Sequence, residues 1–293
     1  MSFVVMTDTS ANLETTQILD NDLRVIPFSY IIDGKEYNIL KDRNFNAEDY
    51  YARIRRGMKV ATSQIPPQQY ADFFEPVLRE GKDIIFVCMS SGISGSCNSA
   101  RIAAQMMTEA YPGRRIEVVD TLGASLGEGI IALHAAQLRR LGRDTADAAA
   151  ELRLHAKRMF QVFTVDDLMH LRRGGRLSNL SAVVGTVLQI KPLLKGNEEG
   201  KIVAFAKVRG RKRSVEALAD RYDRYVVAPE TQTVGIAQAA CREDAEYLAS
   251  LLRRNRPPRE ILTVEYEPVT GSHVGPGALA LFFEGSDEVR SFG

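Results

Sequence analysis

Short apolar runs alternate with amphipathic segments along the first half of the chain. Strands are predicted over residues 3–6, 23–32, 83–89 and 115–119, where β-branched and aromatic residues cluster. Helices are predicted over residues 46–57, 66–81, 94–110 and 125–141, where apolar residues recur at helical spacing between start and stop signals. This alternation predicts a parallel sheet with helices on both faces.

The pattern changes near residue 160, after an alanine-rich helix predicted over residues 145–159. Strands are predicted beyond it over residues 162–165, 201–208, 234–239, 261–266 and 278–283. Helices are predicted over residues 166–171, 180–188, 214–225 and 242–254. We therefore expect an α/β protein of two subdomains. Residues 1–160 form the parallel domain, and residues 161–293 form a smaller mixed α/β sheet domain. No low-complexity linker separates them, so we expect a shared interface.

Composition excludes few classes of protein but indicates the cellular compartment. The chain has 293 residues, 45% of them apolar, and a formal net charge of +1, so no global attraction to nucleic acid or to anionic membranes is expected. Its three cysteines form no CxxC or zinc pattern, which indicates reduced thiols in the cytoplasm. Neither a signal peptide nor a transmembrane segment is expected, because no apolar run is long enough.

Three polar segments far apart in the sequence carry the candidate chemistry: residues 61–64 (ATSQ), 90–96 (SSGISGS) and 171–177 (LRRGGRL). The first two offer hydroxyl donors, and the third offers Arg176 after two glycines. A loop between a buried strand and a helix N-terminus binds anions readily, and an arginine fork suits a carboxylate. Together the segments predict a socket for a carboxylate or a phosphate.

Each segment also has a simpler interpretation. Ser94 is a favourable helix N-cap with or without a ligand, and Thr62 and Ser63 precede the proline-marked helix start at residue 66. Arg176 could belong to a structural ion pair. Residues 90–96 match neither a G-x-S-x-G nucleophile elbow nor a Walker A loop.

Two further segments are open to more than one interpretation. His273 lies in a Gly- and Pro-rich loop, where a histidine is more often a local hydrogen-bonding residue than a ligand, and the four histidines show no metal-binding spacing. Residues 207–213 (KVRGRKR) form a basic run. A solvated surface is its ordinary interpretation, and a docking patch for an acidic partner is the alternative. Nucleic-acid binding is poorly supported, since no aromatic residues interleave the run.

Seven motifs, in order, resemble the DegV family. They are TDTS at 7–10, TSQ at 62–64, MSSGISGS at 89–96, RGGRLS at 173–178, GTVLQIKPLL at 185–194, KVRG at 207–210 and HVGPG at 273–277. The chain departs from the family's usual pattern at Ser96-Cys97, where Thr-Tyr is common, and at Gln189, where Asn is usual.

The resemblance implies two α/β domains with a long-chain fatty acid bound at their junction. Some members are the fatty-acid-binding subunits of bacterial fatty acid kinase, which present the acyl carboxylate to a separate ATP-binding subunit. Carried over by motif, the carboxylate would be held by Thr62, Ser94, Arg176 and His273, with Ser63, Gly95 and Ser96 as additional pocket residues. Arg209 would lie at the kinase-docking surface. No cofactor, metal, nucleic-acid partner or integral membrane association is implied.

Three hypotheses follow. The first is a lipid-binding protein that is not itself an enzyme and that presents a fatty acid to a kinase. The second is a self-sufficient hydrolase or phosphotransferase, for which the sequence shows neither a nucleophile with its base nor a nucleotide loop. The third is a stand-alone lipid sensor or regulatory module. A fatty acid that co-purifies with the protein would support the first and third, whereas unaided ATP turnover would support the second.

Overall fold

The first sheet is parallel and is formed by residues of the first 120 positions. The computed structural model describes residues 3–42, 45–178, 189–286 and 289–291. The sheet contains β1 (Phe3–Asp8), β2 (Leu23–Ile26), β6 (Asp83–Cys88) and β7 (Ile116–Asp120), in the order β2-β1-β6-β7. All neighbours pair in parallel. Every residue of β1 and β6 is buried, as expected of central strands covered on both faces.

Helices cover this sheet and begin near the predicted signals. They are α1 (Thr15–Asp20), α2 (Ala47–Arg55), α3 (Pro67–Arg79), α4 (Ser96–Ala110), α5 (Leu126–Arg140) and α6 (Thr145–Arg158). Asn46 caps α2, because its side-chain oxygen accepts the Asp49 N–H at 2.9 Å. Pro67 begins α3, where a missing N–H costs nothing. The parallel α/β architecture predicted for this half is confirmed.

A small antiparallel sheet interrupts this pattern. The single strand predicted over residues 23–32 is wrong. Pro27 separates two strands, β2 and β3 (Ser29–Ile32). Proline has no N–H for the ladder, so strand pairing changes there. β3 pairs with β4 (Lys35–Tyr37) and with β5 (Ala61–Ser63), in the order β4-β3-β5. Thr62 and Ser63 therefore lie in a strand, not at a helix start.

The second sheet is mixed and is formed by residues from position 159 onward. Its strands are β8 (Met159–Thr164), β9 (Ile190–Gly196), β10 (Ile202–Arg209), β11 (Thr233–Gln238), β12 (Glu260–Glu265) and β13 (Leu279–Glu284). The order is β10-β9-β8-β13-β11-β12, and within it only β11 and β12 pair in parallel. β9 was not predicted, because Pro192 lies inside it.

Helices of the second half are α7 (Met169–Arg173), α8 (Arg211–Tyr225), α9 (Arg242–Asn255) and α10 (Pro268–Val274). The helix predicted over residues 166–171 begins three residues later, at Met169, whose N–H is accepted by Asp167 at 2.8 Å. α10 was not predicted, and the helix predicted over residues 180–188 lies outside the described residues. A separate apolar cluster of this half includes Phe160, Tyr222 and Phe283.

Within the described ranges, no helix is both long and apolar enough to cross a membrane. All three cysteines are free thiols. Cys88 and Cys97 are buried, and Cys241 is half-buried.

Candidate functional site

A cavity lies where the first sheet's loops, the small sheet, the second sheet and α10 meet. It has about 980 Å³ of space free of protein atoms, counting its open mouth. Its lining is largely apolar and includes Phe28, Met89, Phe163, Val269, Val274 and Phe282. Thr62, Ser63, Ser94, Gly95, Arg176 and His273 also line it. The structure thus brings together four segments that are far apart in the sequence.

The loop between β6 and α4 contributes Ser94. The sequence makes Ser94 a possible N-cap of α4; the residue directly before the helix is Gly95, whose dihedral angles are already helical. Ser94 Oγ accepts the Ser96 N–H at 3.2 Å. Its own hydroxyl proton has no acceptor among the described residues, so it is available to a ligand. The loop packs closely against the backbone at Glu199. A Cβ atom on Gly92 would lie 2.5 Å from the Glu199 carbonyl oxygen, so this close approach requires glycine.

Ser96 has a different position from its neighbours. It is buried, it does not line the cavity, and its Oγ accepts the Ile65 N–H at 3.3 Å. This contact joins the start of α4 to the connection between β5 and α3. Ser96 therefore supports the segment that carries Thr62.

Thr62 and His273 meet across the cavity's polar wall. Thr62 Oγ1 lies 2.9 Å from His273 Nε2, and both side chains are half-buried. Burial first, and then the charge of Arg176, lower the pKa of His273 to about 4. The imidazole is therefore neutral near pH 7, and the pair offers hydrogen bonds without a charge.

Arg176 follows α7 through a glycine turn. Gly175 has φ +70°, and a Cβ atom on Gly174 would lie 2.7 Å from His273 Nδ1, so the first glycine permits the close approach and the second the turn. Arg176 Nε donates to the Ile93 carbonyl at 3.3 Å, and Nη1 donates to the Gly174 carbonyl. Within the described ranges Arg176 makes no ion pair, so the structural ion pair considered from sequence is not present there.

The electrostatics of the cavity favour an anion with an apolar tail. Among the described lining residues, Arg176 is the only formally charged side chain at neutral pH. Hydroxyl groups and the neutral His273 surround it, and the remaining wall is mostly hydrocarbon. The part of the chain that the structure describes holds no group of three or more His, Cys, Asp or Glu side chains arranged for a metal ion.

Sequence reasoning missed the residues that hold α10, and with it His273. The Glu267 carboxylate caps α10 by accepting N–H groups from Val269 at 2.7 Å and Thr270 at 2.5 Å. Tyr50 and Tyr51 donate to the Pro268 and Tyr266 carbonyls at 2.8 and 2.7 Å. Glu267 directly before a proline was an available helix-start signal, whereas the tyrosine contacts span more than 200 residues of sequence.

Arg209 is not part of this cavity. It is the last residue of β10, its side chain is exposed, and it pairs in register with Ile190 of β9.

Comparison with known proteins gives matches over the whole chain. The family model described as uncharacterised protein, DegV family, matches residues 2–286. A DegV domain-containing protein of Clostridium perfringens is 36% identical over 283 residues, which cover 97% of each chain. A solved Thermus thermophilus structure, described as fatty acid binding of a DegV family protein, superposes with TM-score 0.88 at 28% identity, covering 97% of this chain and 100% of that one. A Streptococcus agalactiae structure, described as a fatty acid binding DegV family protein, gives TM-score 0.84 at 30% identity, with coverage of 96% and 98%.

Proposed function

Because the chain belongs to the DegV family, we propose that it binds a long-chain fatty acid whose tail occupies the cavity. Thr62, Ser94, Arg176 and His273 would hold the carboxylate. The observation that carries this proposal is Arg176, a cation that makes no ion pair within the described ranges and stands at the wall of a mainly apolar cavity. The two solved relatives described as fatty acid binding support it.

The energetics fit such a ligand. Burying an acyl tail contributes about 0.8 kcal/mol per methylene, so about 14 methylenes give roughly 11 kcal/mol before association costs of several kcal/mol. A carboxylate buried without partners would cancel much of that gain. Arg176 and the hydroxyl donors remove this penalty.

The direct test is the identity of the ligand that co-purifies with the protein. Mass spectrometry of an organic extract should detect a fatty acid at close to one per chain. Calorimetry on delipidated protein should then detect saturable binding of the same compound. Absence of a fatty acid in the extract, together with no binding heat, would exclude the proposal.

We further propose that the protein presents the carboxylate to an ATP-binding kinase subunit, which forms the acyl phosphate. Two features support this extension. The carboxylate socket is half-buried rather than sealed, and Arg209 is exposed within the basic run of residues 207–213. The assay combines this protein, ATP and a cognate kinase subunit and measures acyl phosphate. Formation only when both proteins are present is expected, and a stand-alone lipid sensor would show none.

A hydrolase is the competing function, because Thr62 and His273 form a hydroxyl–imidazole pair at 2.9 Å. A catalytic pair of this kind needs a base near neutral pKa, with a third group to orient it. The pKa of His273 is about 4, and no carboxylate contacts its ring within the described residues. We therefore propose a binding role for the pair. Ester hydrolysis that is abolished by Thr62→Ala would overturn this choice.

We also propose that residues 1–160 and 161–293 form two domains with the ligand site at their junction. Thr62 and Ser94 belong to the first part, and Arg176 and His273 belong to the second. The proposed boundary falls near the start of β8. Because Met159 and Phe160 at this boundary are buried, limited proteolysis of the ligand-free protein should cut in surface loops on either side of it, and ligand should slow cleavage.

A further inference from the structure

A second cavity lies next to the first. It has about 1030 Å³ of space free of protein atoms, counting its open mouth. Its apolar lining comes from the segment around α1, from β2, from residues 39–40, 45 and 47, and from β12. The main apolar residues are Leu13, Ile18, Val25, Leu40, Phe45 and Val264. Four acidic residues, Asp8, Glu14, Glu265 and Glu267, also line the cavity, so a hydrocarbon chain would contact only its apolar part.

The two cavities share part of a wall. Phe28 lines the first cavity and Thr9 the second, and the Phe28 N–H donates to Thr9 Oγ1 at 3.0 Å. Ser125 lines the first and Asn12 the second, and Ser125 Oγ donates to Asn12 Oδ1 at 3.3 Å. Tyr266 is only 4% exposed and lines both cavities.

Tyr266 is the part of this wall that can be shortened without breaking a hydrogen bond. Its backbone is held, because its N–H donates to the Gln238 carbonyl at 2.8 Å and its own carbonyl accepts from Tyr51 at 2.7 Å. Its hydroxyl has no hydrogen-bond partner within the described ranges. Tyr266 lies just before α10, and His273 lies in its last turn. At a helical rise of 1.5 Å per residue, the backbones of the two residues are about 10 Å apart along the helix axis.

We propose that Tyr266 is a specificity-determining residue: it closes the acyl cavity against the second cavity and so limits the length and bulk of the tail. This inference rests on the proposed fatty acid binding. A smaller residue at position 266 would join the two cavities and admit longer or branched chains. Each further methylene that finds apolar room should tighten binding by about fourfold.

The test compares saturated fatty acids from 14 to 22 carbons in direct binding assays. Tyr266→Ala should shift the preferred length upward by several carbons, and Tyr266→Leu should shift it less in the same direction. Tyr266→Phe keeps the ring and should leave the ranking unchanged. Because removal of a buried ring can prevent folding, Tyr266→Leu decides the question if Tyr266→Ala does not fold.

A second variant asks where the added length goes. Ile18→Phe partly fills the second cavity and should reverse the shift in the Tyr266→Ala or Tyr266→Leu background, yet leave the ranking of the wild type unchanged. An unchanged ranking in the folded position-266 variants would overturn the inference, as would a shift that Ile18→Phe does not reverse. Failure of the wild type to bind any fatty acid would instead overturn the proposed function.

Discussion

At the residue scale, the candidate site depends on two hydrogen-bond donors, Arg176 and Ser94, that have no acidic partner or no acceptor within the described ranges. Arg176 makes no ion pair within the described ranges, and Ser94 keeps a hydroxyl proton without an acceptor there. Both groups can therefore donate to an anionic ligand, and single substitutions should test this.

Ser94→Ala should weaken fatty acid binding roughly 10- to 100-fold, because a hydrogen bond to a charged group contributes about 1.5–3 kcal/mol. The melting temperature of the ligand-free protein should fall only slightly, because the substitution removes a single hydrogen bond, from the Ser96 N–H to Ser94 Oγ at 3.2 Å. Calorimetry and thermal unfolding measure the two effects. Ser91→Ala, an exposed change in the same loop, is the matched control. Unchanged affinity with a lower melting temperature would show a purely structural role.

Ser10 reveals a second local property, a shared proton. Its Oγ lies 2.5 Å from Asp8 Oδ1 and 2.5 Å from Glu128 Oε2, and all three side chains are buried. One hydroxyl has one proton, so it can donate to only one carboxyl group. The other must be a carboxylic acid that donates to Ser10. Burial raises the pKa of both carboxyl groups, and repulsion from Asp8 adds to the effect on Glu128, so we assign the proton to Glu128.

Glu128→Gln should therefore be tolerated and should reduce the loss of stability as pH rises above about 4.5. The folded-state pKa of Glu128 lies above its unfolded value, so its contribution to stability is present at low pH and is lost as pH rises. Denaturant unfolding at several pH values from about 4.5 upward measures this. Glu117→Gln, a change to a partly exposed carboxylate in β7, serves as control. A wild type and variant that lose stability in parallel would contradict the assignment.

At the scale of the element, α10 is a short helix held from outside. Its seven residues cannot be stable alone, so the Glu267 cap and the Tyr50 and Tyr51 contacts fix its position. Burial raises the pKa of Glu267 to about 7. When it is ionised, the Glu267 carboxylate accepts two N–H groups at the N-terminus of α10, but its charge is then buried away from water.

We expect the free energy of unfolding to fall between about pH 4.5 and 7 in part through Glu267. Its folded pKa is raised, so the unfolded chain releases the proton first and stability decreases as pH rises. The effect amounts to a few kcal/mol at most. Glu267→Gln, which cannot ionise, should show a smaller decrease in denaturant unfolding at pH 5 and pH 7. An identical decrease in both proteins would show that Glu267 is not the group responsible.

Elements with strong local signals were predictable from the sequence, and those defined by distant contacts were not. Asn46, Pro67 and the alanine-rich stretch of α6 mark helices that the structure shows. β9 contains a proline, so no local pattern indicated it, whereas α10 had a start signal at Glu267-Pro268 but depends for its position on tyrosines more than 200 residues away. For the site, motif chemistry selected Thr62, Ser94, Arg176 and His273, which share one cavity. The supporting roles of Ser96 and Glu267 required the three-dimensional arrangement.

At the scale of the whole molecule, the carboxylate socket and the proposed docking surface are separate. Arg209→Ala should leave fatty acid affinity unchanged and should raise the kinase concentration required for half-maximal acyl phosphate formation, since exposed docking charges act mainly on association. Titration at two salt concentrations measures this, because screening should weaken the wild type more than the variant. Glu230→Ala, a change to an exposed charge elsewhere, is a control. Equal kinase response of variant and wild type at every concentration would make the basic run an ordinary solvated surface.

The contact between Thr62 and His273 joins residues that are 211 positions apart in the sequence. A ligand bound there would affect how much of the protein survives degradation in the cell. A ligand held there acts as a non-covalent crosslink between distant parts of a chain whose three cysteines are unpaired. At a ligand concentration 100 times the Kd, such a crosslink adds about 2.7 kcal/mol to stability. The amount of protein that escapes degradation would then follow the supply of its ligand.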